Sequence, residues 1–279
     1  MIDNMLKLLF ILLIPIDLMA CVHGFFPNTQ NISISYSKSV VSKNIHAANI
    51  VEHFTDVYAP IFAKENKDLQ INFLWDEANL NAYATRDQNN NPIINITGGL
   101  ANHDLITKDS LSLILCHEIG HFLGGAPKKL RGRSTKKSWS SAEGQADYYA
   151  TAFCIKKVLK SMSNQQTTKS KLKSTDQISK ICNTPICNRV AAASLNLAKI
   201  YAEIDYFNIE LSISRPDDNT TYNTIYGHSN PQCRLDTMIS GLRCPNSESI
   251  LFDNLDPIQS SCIEPEFRRP RCWYYPEIY

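Results

Sequence analysis

The chain has 279 residues, 43% of them hydrophobic, with 28 basic and 27 acidic side chains and a formal net charge of +1. That length can bury one full core, alone or with a tail. So even a balance gives no overall pull toward nucleic acid or an anionic membrane, and no nucleic-acid partner is expected.

The N-terminus reads as a targeting segment. Lys7 precedes the apolar run Leu8 to Ile14, and Leu18-Met19-Ala20 closes on a small residue. The run falls short of the ~20 apolar residues that span a bilayer, so residues 1–20 are expected to be a secretory signal peptide. Leu18-Met19-Ala20-Cys21 also resembles a bacterial lipobox, whose cysteine is lipidated after cleavage. Two outcomes stay open: a periplasmic, envelope-anchored lipoprotein held at Cys21, or a plainly secreted protein. No comparable apolar run follows, so any membrane contact is expected only through that anchor. Residues 21–44, rich in Ser and Asn, read as a linker.

Ile45, Ala48, Val51, Phe54, Val57 and Tyr58 recur at helical spacing, with Pro60 placed to kink or end the helix. Leu69, Ile71, Phe73 and Trp75 alternate as in a strand. Residues 79–85 and 92–97 flank the loop from Arg86 to Asn91, which predicts a hairpin. Pro92 suits an edge strand. An exposed edge binds extended peptide through main-chain hydrogen bonds, so Ile93, Ile94, Asn95 and Ile96 are candidate substrate-binding residues. The alternative is an edge covered by a loop.

The stretch LSLILCHEIGHFLG, Leu111 to Gly124, holds His117-Glu118-Ile119-Gly120-His121, the H-E-x-x-H pattern of helix-borne zinc sites. Residues four apart share a helix face, so His117 and His121 can offer two imidazole nitrogens to one metal. Glu118 can reach a water on that metal. Zinc suits nitrogen and oxygen ligands and lowers its water's pKa to about 7. The plainer alternative is a buried helix with two satisfied histidines, and a third ligand decides between them.

Gly124 to Lys137 carries Lys128, Lys129, Arg131, Arg133, Lys136 and Lys137, either a flap beside a cleft or a solvated loop. Ser140 or Ser141 then reads as the N-cap of a helix running to Thr151. Glu143 and Asp147 are again four apart. Their useful division is Glu143 on the zinc and Asp147 on the outer N–H of a ligand histidine. Alternatively, Glu143 is a first-turn acid favoured by the helix dipole.

HEIGH followed by Glu143-Gly144-Gln145-Ala146-Asp147 resembles the gluzincin zinc metallopeptidases, which pair HExxH with E-x-x-x-D on the next helix. Within them the chain is most similar to the group of CAAX prenyl proteases and HtpX-like peptidases. The similarity runs from Leu69 to Gly241, through Asn81 to Ala84, Ile93 to Thr97, Gly99-Leu100 and an acidic helix start at Asp109. Downstream it reaches His228-Ser229-Asn230-Pro231 with Arg234, like the family's late H-P…R element. The resemblance implies a zincin-like α+β domain, mainly helical, with a small antiparallel sheet and an HExxH active-site helix. It also implies one zinc ion, a polypeptide substrate, and His228 or Arg234 as catalytic groups on the substrate carbonyl or its oxyanion. Arg234 could instead pair structurally with Asp147 or Glu143.

Arg189 to Phe207 predicts another helix, and Gln232 to Gly241 a short one carrying Arg234. Of nine cysteines, Cys21 lies at the expected processing point and eight remain, an even number that suggests disulfides in an exported chain. Cys182 and Cys187 could close a local loop. Cys233, Cys244, Cys262 and Cys272 are placed to staple the tail to the core. Cys116 and Cys154 could bridge the two metal-site helices or stay as buried thiols.

The expected organisation is a signal peptide (1–20), a linker (21–44), a zinc metallopeptidase domain (45–245) and a cysteine-stapled tail (246–279). The expected reaction is hydrolysis of peptide bonds in extended polypeptide, in the cell envelope or outside the cell, with Glu118 as general base. Two alternatives stand beside it. One is a zinc-stabilised assembly or chaperone-like envelope protein with little cleavage, the other a zinc hydrolase of a non-peptide amide.

Overall fold

A computed structural model describes residues 24–27, 45–131, 135–163 and 176–276. The expected signal peptide, the anchor cysteine Cys21, most of the linker and Arg133 lie outside the described residues.

Helix α1 (Ile45–Ala63) buries Ala47, Ile50, Phe54, Tyr58 and Phe62 at steps of three and four. It runs one turn past Pro60, because a single missing donor is outweighed there by the buried Phe62. Strands β1 (Gln70–Leu74), β2 (Ala82–Arg86) and β3 (Pro92–Thr97) form a sheet in the order β1-β3-β2. The hairpin of β2 and β3 is antiparallel as expected, with Ala82 opposite Ile96 and Arg86 opposite Pro92.

β1 corrects the edge assignment. It pairs in parallel with β3, Gln70 opposite Ile93 and Leu74 opposite Thr97, so the sheet is mixed and β3 is its centre. Pro92 is tolerated because it is the first residue of its strand. Ile93, Ile94, Asn95 and Ile96 therefore have both main-chain sides occupied within the sheet, and no substrate strand can add to them.

A short helix, α2 (Gly98–Ala101), leads to α3 (Lys108–Leu123), whose N-cap Thr107 accepts a hydrogen bond from the Ser110 amide. Every residue from Asp109 to Phe122 is buried, since α1, the sheet and later helices surround α3. The basic stretch after it is largely a hairpin, β4 (Lys128–Leu130) with β5 (Lys137–Ser141). That hairpin takes up both candidate capping serines. Helix α4 (Glu143–Tyr149) starts instead from Ala142, with no side-chain cap. It continues through a π-turn (Ala150–Cys154) into α5 (Ile155–Ser163).

Helices α6 (Asp176–Ile181), α7 (Pro185–Ile204) and α8 (Pro231–Arg243) complete the α-helices among the described residues. Arg189 of α7 grips Asp109 at the start of α3 through two hydrogen bonds of 2.6 and 3.0 Å. Disulfides join Cys116 to Cys154, Cys182 to Cys187, Cys233 to Cys272 and Cys244 to Cys262. The last two fasten the tail, whose Trp273 is fully buried. The structure is thus mixed α+β, mainly helical with small sheets. Among the described residues no helix is long and apolar enough to cross a membrane. That and the four disulfides are compatible with an exported protein.

Gly24 to Pro27, four residues of the stretch read as a linker, are buried. Phe25 and Phe26 belong to the main hydrophobic core, beside α3 and β2.

Candidate metal site

His117 and His121 stand one turn apart on α3 with ring centroids 4.7 Å apart, and both are fully buried. Glu143, the first residue of α4, meets them from the neighbouring helix. Its Oε2 lies 3.1 Å from His117 Nε2 and 3.7 Å from His121 Nε2. Tetrahedral zinc with bonds of about 2.0–2.1 Å would set neighbouring ligand atoms roughly 3.3 Å apart. Glu143 Oε2 sits near that spacing from both imidazole nitrogens.

The outer nitrogens are held from behind. His117 Nδ1 is 2.7 Å from Asp147 Oδ1, and His121 Nδ1 is 3.0 Å from the Ser141 carbonyl oxygen. A carbonyl only accepts, so His121 carries its proton on Nδ1 and turns the Nε2 lone pair inward. His121 Nε2 and both oxygens of Glu118 are buried without any hydrogen-bond partner. Leaving three such atoms unpaired would be costly. They converge instead of scattering, since His117, Glu118 and His121 present ligand atoms within 4.8 Å of one another. The residues present therefore fit a divalent ion with a carboxylate beside it. Two other clusters with metal-like spacing each contain a disulfide, Cys233–Cys272 or Cys244–Cys262, whose sulfurs offer no thiolate.

Burial pushes the Glu118 carboxyl up, to about 8, with the Glu143 charge adding to it and His117 opposing. Burial also drives the Glu143 carboxyl upward, but the Lys129 charge and the hydrogen bond from His117 hold it well below the usual carboxylate range. For His117 burial acts downward, and the charge and hydrogen bond of Asp147 more than reverse it, to about 9. His121 is held well down by burial. These opposite directions separate an ionised ligand carboxylate, Glu143, from a second carboxyl, Glu118, that readily holds a proton.

Arg234 is placed on Asp147. Its Nε and Nη2 each donate to an Asp147 oxygen at 2.8 Å, and Nη1 donates to the Phe25 carbonyl at 2.6 Å. With 2% exposure and every side of the guanidinium engaged, Arg234 takes the structural alternative rather than the catalytic one. His228 does reach the site, its Nε2 lying 3.3 Å from Glu143 Oε2. The same nitrogen is 2.9 Å from the Gly24 carbonyl oxygen, and burial holds the imidazole neutral, down to about 4.

Two participants escape the sequence reading. Lys129 Nζ donates to Glu143 Oε1 at 2.5 Å, leaving Oε2 to the imidazoles. Only the β4–β5 register distinguishes it from the other basic residues of its stretch. Phe25 stands edge-on to His117, with ring centroids 4.9 Å apart. Nothing in a short Gly-Phe-Phe-Pro run announces that position. No protein-family model, curated protein or solved structure matches the chain.

Proposed function

We propose that the chain is a zinc-dependent endopeptidase of the gluzincin kind, acting on extended polypeptide in the cell envelope or outside the cell. The observation that carries this reading is the buried meeting of His117 Nε2, His121 Nε2 and Glu143 Oε2 beside a Glu118 carboxylate with no partner. Two nitrogens and one oxygen suit zinc, and three protein donors, not four, are the pattern of a catalytic site. A zinc-stabilised assembly protein would close the ion with a fourth protein ligand and would have no use for an unpartnered carboxylate.

Zinc held there would supply Lewis acidity toward the scissile carbonyl and lower the pKa of water. The chain's own residues do the rest. Glu118 takes a proton from the attacking water on one carboxylate oxygen and delivers it to the nitrogen of the leaving amine. Asp147 and the Ser141 carbonyl keep the two imidazoles turned inward. Lys129 holds the outer oxygen of Glu143. An extended substrate is best served by β2, an edge strand that packs on α3, beyond Ala82, whose carbonyl already takes the Phe25 amide.

The test is metal analysis of the exported protein together with digestion of an unfolded casein-type substrate, with and without chelator. Glu118→Gln is expected to keep its zinc and lose at least ~100-fold in kcat. Full activity in that variant, or a wild-type protein that binds no zinc, would sink the proposal.

A further inference from the structure

We propose that Gly24 to Phe26 form a positioning part of the metal site, so that His117, His228 and Arg234 are correctly set only when this segment is seated. The inference rests on the metal reading above. Two consecutive carbonyls do the positioning. The Gly24 oxygen accepts from His228 Nε2 at 2.9 Å, and the Phe25 oxygen accepts from Arg234 Nη1 at 2.6 Å. His228 touches one proposed metal ligand directly, and Arg234 is one residue removed from another. His228 Nε2 is 3.3 Å from Glu143 Oε2, and Arg234 grips Asp147, which holds Nδ1 of His117.

The Phe25 side chain adds a direct contact. Its ring meets the edge of His117 and lies under the Arg234 guanidinium, 4.3 Å from centroid to Cζ. One residue thus touches a ligand imidazole, the arginine behind it and, through its carbonyl, that arginine's third donor direction. The segment is itself anchored on β2. The Phe25 amide donates to the Ala82 carbonyl at 2.8 Å, and the Asn81 side chain exchanges two hydrogen bonds with the Phe26 main chain at 3.2 and 3.3 Å.

Gly24 has φ +59°, and a Cβ there would fall 2.4 Å from the Ala82 oxygen, so glycine alone fits this seat. Unseating the segment would leave a buried guanidinium N–H without its acceptor and His228 Nε2 with only Glu143 Oε2 beside it, and would open the space of two phenylalanines that are 1% and 0% exposed. That describes a fixed wall of the site and not a plug that comes and goes.

The experiment uses the full exported chain with Gly24→Ala, which is sterically barred from the seat, and with Phe25→Ala, which removes the ring. Zinc affinity is measured by competition with a chromophoric chelator, alongside kcat, KM and folding by circular dichroism. Both variants are expected to stay folded, to bind zinc about 10–100-fold more weakly, the range for partners behind a ligand, and to lose kcat with KM little changed. In metal-free Gly24→Ala, imidazole ¹⁵N spectra should show a shifted His228 Nε2–H signal as its acceptor changes from the Gly24 carbonyl to Glu143, and an unshifted signal counts against the segment's role. If neither variant folds, a chain lacking residues 1–27 is titrated with a peptide spanning residues 22–30. A saturable gain in zinc affinity supports the proposal, and no gain overturns it. Folded variants with wild-type zinc affinity also overturn it, as does a rise in kcat/KM, which would make the segment an occupant of the substrate's place. A wild-type chain that binds no zinc refutes the metal reading instead, and the metal-free His228 spectra still test the segment.

Discussion

Gly120, between the two histidines of α3, rests directly on Ala146 of α4. A Cβ at position 120 would lie 2.9 Å from both the Ala146 Cα and its carbonyl oxygen, which are backbone atoms that cannot swing aside. This contact lets the helices approach closely enough for His117, His121 and Glu143 to share one point. Gly120→Ala should gain up to about 1 kcal/mol of helix propensity and lose about 1–3 kcal/mol to overpacking. The net expectation is a destabilised protein whose zinc affinity falls, because spreading the helices withdraws Glu143 from the imidazoles. Urea unfolding and chelator competition check this. A variant as stable as wild type with unchanged zinc affinity would show that the crossing has slack.

The Asp147–Arg234 pair is buried on all sides, so its two members should not be separable. Removing one partner of a buried pair costs about 3–5 kcal/mol, since the other is left charged and unpaired. Burial pushes the Asp147 carboxyl up, yet Arg234 and His117 together hold it well below the usual carboxylate range. Arg234→Met should therefore cost stability on that scale and weaken zinc binding by releasing the carboxylate behind His117. Combining it with Asp147→Asn should cost less than the two losses summed, by at least about 1 kcal/mol. Strictly additive losses in a denaturant series would mean that the two residues act independently.

The candidate site was legible where chemistry repeats at a helical period. His117 with His121, and Glu143 with Asp147, each lie four apart, and that spacing alone brings each pair to one face. Helices α7 and α8 were legible for similar reasons. The position of β3 was not, because a parallel partner such as β1 is separated from it by the whole of β2 and leaves no mark on the local pattern. Pro92 pointed the other way, since a proline at the first residue of a strand looks the same in a central strand as in an edge. The serines before α4 were misread as caps because they serve other needs. Ser141 Oγ donates to the Gly125 carbonyl, and Ser140 Oγ lies 3.1 Å from His121 Nδ1. Gly24 to Phe26 carries no periodicity at all, and only its tertiary contacts reveal it.

The Cys116–Cys154 disulfide ties the residue before His117 to the end of the π-turn that follows α4. It spans 38 residues, and closing a loop of that size in the unfolded chain corresponds to about 4 kcal/mol in the chain-entropy model. Replacing both cysteines with alanine should lower stability by at least about 4 kcal/mol, because both sites are fully buried and also lose packing. On the proposed reading the variant should still bind zinc, since disulfide sulfurs supply no thiolate ligand. Unfolding curves with and without added zinc test both parts. An undiminished midpoint would show that helix packing alone holds the two helices together.

Asp236 on α8 provides a pH test remote from the metal donors. It is 8% exposed; one oxygen accepts the Asp217 amide and the other the Gln232 side chain. Burial raises its carboxyl from 3.8 to about 6, and the two hydrogen bonds only partly oppose that. Between these values the folded state holds a proton that the unfolded chain has released. The stabilising contribution is therefore complete below about pH 3.8 and is lost as pH rises through 6. A gap of 6 − 3.8 = 2.2 corresponds to about 3 kcal/mol. Asp236→Asn cannot titrate, and any change it makes in hydrogen bonding is a constant offset with pH. The wild-type stability minus that of the variant should then fall by roughly 2.4 kcal/mol between pH 4 and pH 7 in urea unfolding, the part of that span lying between those two pH values. A difference that stays level across that interval would place the Asp236 carboxylate in contact with water.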